Sequence, residues 1–119
     1  MSTNPPIVPT SRFKMRIQAT AESTQVTCTG KLTAEVAAEF KQEVRALIPQ
    51  TKRLVLDLND VGFLDSSGLG AIIGIYVTAR KASCDLQLIN LSQKVRDLLG
   101  MTKILSVFES AGQHGTRIV

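Results

Sequence analysis

The sequence predicts an α/β fold: a mixed β-sheet in the order β-β-α-β-α-β-α-β, with helices packed mainly on one face. Three observations lead there. Apolar residues alternate with polar ones near the start, as in a hairpin. Short apolar runs then alternate with segments of helical period, which implies parallel strands joined by right-handed crossovers. The chain has 119 residues, 44% of them hydrophobic, enough for one domain with a core of its own.

Residues 1–11 carry three of the four prolines and read as a flexible lead-in. A single domain is expected over 12–112, followed by a polar tail at 113–119. Phe13, Met15 and Ile17 alternate with Lys14, Arg16 and Gln18, a half-buried strand. Glu22-Ser23-Thr24 turns the chain. Val26 and Cys28 face one side of a second strand that Gly30 ends. Thr33 is placed to cap a helix through its hydroxyl. Val36, Phe40, Val44, Leu47 and Ile48 then repeat at helical spacing until Pro49. Arg53 to Leu58 is a nearly continuous apolar run, suited to a central strand covered on both faces. A loop, Asn59 to Gly68, is expected next. Leu69, Ile72, Ile73, Tyr76 and Val77 mark a second helix, ending near Arg80-Lys81, whose charges suit the negative end of its dipole. Asp85 to Asn90 reads as a strand. Ser92 caps a third helix that runs to Leu99, with Gly100 as its stop. Ile104 to Phe108 is expected to supply a short last strand.

Composition excludes several classes. The formal charge is +4, but the basic residues are scattered and few aromatics accompany them. A nucleic-acid surface wants a clustered basic face with stacking residues, so no direct nucleic-acid partner is expected. No apolar run approaches the roughly 20 residues of a membrane span. Cys28 and Cys84 have no partner at metal-ligand spacing, so no metal or cofactor is expected. No signal-peptide pattern opens the chain, and a cytoplasmic location is expected.

The candidate site is Asp65-Ser66-Ser67-Gly68, between the central strand and the second helix. A hydrolase elbow requires Gly-x-Ser-x-Gly. Leu64 and Asp65 stand where Ser66 and Ser67 would need the first glycine, and the single histidine, His114, lies in the tail. No catalytic residue is assigned, and no enzyme is expected. Gly68-Leu69-Gly70 is a fragment of a phosphate loop without the Lys-Ser/Thr or the third glycine. Two readings remain on the residues alone. One is a helix cap, with Gly68 and Gly70 allowing close helix–sheet packing. The other is a serine at a helix start whose hydroxyl takes up a phosphoryl group. The added group brings about −1.5 to −2 charges. It would block a docked partner without unfolding its host.

"VGFLDSSGLGAIIGIY" after "RLVLDLND" resembles the signature of STAS domains, and most closely the stand-alone bacterial anti-sigma factor antagonists. The likeness covers roughly residues 13–110, including "TGKLT" before the first helix. It implies that Ser66 is the phosphoacceptor. It implies a partner-binding surface of Asp65, Ser67, Gly68 and Leu69 with Lys31 and Thr33 from the turn before the first helix. The implied partners are an anti-sigma factor with a histidine-kinase-like ATPase fold, which phosphorylates the serine, and a metal-dependent serine phosphatase, which restores it. The resemblance implies that the unmodified form binds the anti-sigma factor and frees a sigma factor; a monomer or weak dimer is expected. Many family members carry a "Gly-Glu-Leu-Asp"-like turn. Here Lys31 and Thr33 stand at the two acidic positions. The alternative is a STAS scaffold or transport-system accessory domain that is never phosphorylated.

Overall fold

A computed structural model describes residues 13–101 and 116–118. One sheet holds five strands in the order β1 (Lys14–Ala19), β2 (Ser23–Leu32), β3 (Arg53–Leu64), β4 (Asp85–Ile89) and β5 (Thr116–Ile118). β1 runs antiparallel to β2, and every other neighbouring pair is parallel. Three helices connect the parallel strands: α1 (Ala34–Leu47), α2 (Ser66–Lys81) and α3 (Gln93–Met101). Successive crossovers step the same way across the sheet. Right-handed connections therefore lay the helices on one face, as expected from the pattern.

The core lies between that face and the helices. Val26, Cys28, Leu54, Leu56, Leu58, Leu86 and Leu88 are buried from the strands, and Phe40, Val44, Ile72, Ile75, Val95 and Leu99 from the helices. Phe13 meets Phe40 edge-on, with ring centroids 5.4 Å apart. This geometry suits two aromatic quadrupoles. The opposite face carries half-exposed Gln25, Thr27 and Gln87.

Several boundaries differ from the sequence reading, each for a physical reason. The first strand is an edge strand, so Ile17 stays 44% exposed and only Met15 of Lys14–Ala19 is half-buried. Gly30 does not end β2. Its φ of 114° lets the strand pass through an irregularity and continue to Leu32. β3 continues well past Leu58, through the stretch expected to be a loop. Here Thr27 and Thr29 oppose Asp57 and Asp60, and Gly30 and Lys31 oppose Val61 and Phe63. β3 thus inserts one extra residue at each step. The burial of β3 changes from a continuous run, Leu54 to Leu56, to every third residue: Leu58, Val61 and Leu64. That rhythm hides a strand from a period-2 reading.

α1 ends at Leu47, and Pro49 sits in the single 3-10 turn that follows, Ile48–Gln50. α2 starts at Ser66, three residues before the expected Leu69, and ends at Lys81 as its closing cations predict. Ser92 caps α3 by accepting from the Val95 N–H at 3.2 Å. Gly100 lies inside that helix rather than stopping it, with open space where a side chain would be. β5 falls within the stretch expected as a tail. The strand expected at 104–108 lies outside the described residues.

Candidate functional site

The site forms where β2 and β3 end together. Lys31 pairs with Phe63 and Leu32 with Leu64. Each strand then turns directly into a helix, so the starts of α1 and α2 lie side by side. The Asp65 N–H donates to the Leu32 carbonyl at 3.3 Å and ties the two turns together.

Gly68 explains how close they come. A Cβ at this position would stand 2.2 Å from the Leu32 carbonyl oxygen. The first turn of α2 therefore rests on the backbone of β2, and only glycine fits there. Gly70 differs from its expected packing role. It is exposed, with nothing within 4 Å of the place a Cβ would occupy.

Asp65 is the N-cap of α2, with extended backbone. Its Oδ1 accepts from the Gly68 N–H at 2.9 Å. Its Oδ2 accepts from the Ala34 N–H at 3.0 Å, across 31 residues of sequence. One carboxylate thus satisfies orphan N–H groups on two helices at their positive ends. The Gly68 N–H has the largest effect on the Asp65 carboxyl; burial opposes it, and the Ala34 N–H adds to it, so the carboxyl lies below the usual carboxylate range.

Thr33 occupies the N-cap position of α1, but its hydroxyl makes no capping bond. Its carbonyl accepts from Val36 and Ala37. The expected hydroxyl cap is therefore replaced by Asp65, because the neighbouring turn brings a stronger, charged acceptor to the same end.

Ser66 is the first residue of α2 and is exposed, as is Ser67 beside it. Leu69 is half-buried and Lys31 is exposed. All seven residues singled out in the sequence therefore lie on the two strand-to-helix turns at this end of the sheet. Two further residues at this end of the sheet escaped the sequence reading. Phe63, 46% exposed, stands two residues before Asp65 and looked like part of a loop. Ala34 contributes only a backbone N–H, for which a sequence carries no signal. A groove of about 260 Å³ lies between Phe63 and the first turns of α3, lined also by Lys94, Val95 and Leu98. A second, of about 360 Å³, runs between the starts of α1 and α2 over Ala37, Gly70 and Ala71, with Ser67 on its rim.

Among the described residues no group of three or more His, Cys, Asp or Glu could hold a metal ion. No helix among them is long and apolar enough to cross a membrane. Cys28 and Cys84 are free and buried. Burial, with a smaller contribution from Asp57, pushes the Cys28 thiol up to about 12. That keeps the thiol protonated and inert.

A paired strand end, an aspartate cap shared by two helices, an exposed serine at a helix start and a glycine against backbone meet at one end of an α/β sheet. A family model described as Mlab, STAS domain matches residues 15–106, and the chain belongs to the STAS domain family. The anti-sigma-B factor antagonist of Bacillus subtilis (strain 168) is 29% identical over 92 residues, covering 76% of this chain and 84% of that protein. An anti-sigma factor antagonist from Mycobacterium paratuberculosis shares the fold. Its TM-score is 0.74 at 19% identity, covering 87% of this chain and 88% of that one. The Bacillus cell fate determinant SpoIIAA in its phosphorylated form also shares it. Here the TM-score is 0.63 at 18% identity, covering 76% of this chain and 83% of that one.

Proposed function

We propose that this chain is an anti-sigma factor antagonist switched by phosphorylation at Ser66. The unmodified protein docks its two helix starts, with Lys31, Thr33, Asp65, Ser67, Gly68 and Leu69, on an anti-sigma factor of histidine-kinase-like ATPase fold. Docking releases a sigma factor. The anti-sigma factor then transfers the γ-phosphoryl group of ATP to the Ser66 Oγ. The hydroxyl proton is lost and ADP leaves. A metal-dependent serine phosphatase hydrolyses the ester and restores the docking form.

The observation that carries this reading is the exposure of Ser66 as the first residue of α2. Its hydroxyl is within reach of another protein, and its position is held by two strands and a double cap. A phosphate there adds about −1.5 to −2 charges beside the Asp65 carboxylate. The two repel, and the added charge stands in the space a partner would fill. Burying an unpaired dianion in an interface is far more costly than leaving it in water. The switch thus acts by blocking a surface, with the sheet intact. The curated relative from Bacillus subtilis supports the assignment by its name, and the phosphorylated state of SpoIIAA supports the chemistry on this fold.

Incubation with a candidate anti-sigma kinase and ATP tests the reading. The expected outcome is a gain of about 80 Da, one phosphoryl group, mapped to Ser66 and absent in Ser66→Ala. A chain that binds such a kinase but never gains the group would instead act as an unphosphorylated scaffold or transport-system accessory.

A further inference from the structure

Asp65 joins the modification site to a helix that the phosphate never touches. Its Oδ1 serves the Gly68 N–H of α2, and its Oδ2 serves the Ala34 N–H of α1. The residue at the α1 N-cap, Thr33, supplies no side-chain cap of its own. The first turn of α1 thus takes its capping bond from the residue next to Ser66.

We propose that Asp65 is a positioning residue that couples phosphorylation of Ser66 to loosening of the first turn of α1; this rests on the phosphoacceptor role of Ser66. The phosphate and the carboxylate compete for the same orphan N–H groups at the start of α2. Both are negative, and they sit on adjacent residues. A carboxylate is planar, so turning away from the phosphate moves both of its oxygens together. The Gly68 N–H then has phosphate oxygens as replacement acceptors. The Ala34 N–H has only water. The modification therefore writes to two elements: it places charge on α2 and removes a cap from α1. Both helix starts belong to the docking surface, so both changes weaken the same complex.

Phosphoserine placed at position 66 by genetic encoding makes the test independent of any kinase. Residue-resolved amide exchange is the readout. The Ala34 N–H is expected to exchange roughly fivefold faster in the phosphoserine protein, the factor that loss of one cap implies, while Gly68 stays protected. In unmodified protein, Asp65→Asn is expected to raise Ala34 exchange by a similar factor, and phosphoserine to add nothing further in that background. Asp65→Ser keeps the α2 cap on a shorter side chain that cannot reach Ala34. It serves as the second variant should the amide disturb folding. Unchanged Ala34 exchange on adding phosphoserine to the wild-type chain overturns the coupling. Unchanged exchange in both Asp65 variants overturns the bridge itself. Failure of the phosphoacceptor reading is seen elsewhere, as equal anti-sigma factor affinity with and without phosphoserine, whatever Ala34 does.

Discussion

Gly68 and Gly70 stand two residues apart in one helix and have opposite requirements. A methyl group at Gly68 would drive into the Leu32 carbonyl, backbone that cannot swing aside. Gly68→Ala is expected to destabilise the protein by about 1–3 kcal/mol, the usual range for overpacking. Gly70→Ala meets nothing. It removes a flexible residue from a helix interior and is expected to stabilise by about 0.5–1 kcal/mol. Urea midpoints of the two variants check both signs. Asp65 adds a pH dependence. Its carboxyl lies below the ordinary range in the folded protein, so its contribution is complete above the unfolded value of about 4. The contribution fades as pH falls through the lower native value. Stability measured from neutral pH into acid should lose this component in the wild-type chain, and Asp65→Asn should lack that part of the acid dependence. The sequence made Asp65, Ser66 and Gly68 legible as a capped helix start. It could not reveal that Asp65 also caps α1, because the second acceptor contact is to a backbone N–H 31 residues away.

The elements were legible wherever a single period ran through them. α1, the first half of β2 and β4 follow their apolar spacing. β3 did not, because its two inserted residues change the burial rhythm after Leu58. Asn59, Asp60 and Gly62 have turn-like composition, and tertiary pairing with β2 overrides it. This extension positions the candidate site: it carries the chain up to Leu64, so that Asp65 caps a helix next to the end of β2. Gly30 is the point on β2 that accommodates the irregularity. Its φ of 114° is outside the range that L side chains adopt readily. Gly30→Ala is expected to destabilise the fold by about 1–3 kcal/mol. It should also raise amide exchange selectively at Lys31, Leu32, Phe63 and Leu64, while Leu54 and Leu56 keep their protection.

On the scale of the whole molecule, a single mixed sheet with helices on one face follows from strand–helix alternation and the handedness of crossovers. That much was legible in the chain. The edge position of β5 was not, because three residues carry too short a pattern to set apart from a tail. Among the described residues the core is closed, the cysteines are buried, and Ser66 is exposed at one end of the sheet. The proposed switch should change affinity without changing stability by much. The most direct measurement is calorimetric titration of a cognate anti-sigma factor with the unmodified protein and with phosphoserine at position 66, alongside their melting curves. Like-charge and desolvation penalties of several kcal/mol predict that affinity falls at least about a hundredfold, with cooperative unfolding retained. Equal affinities for the two forms would contradict the account.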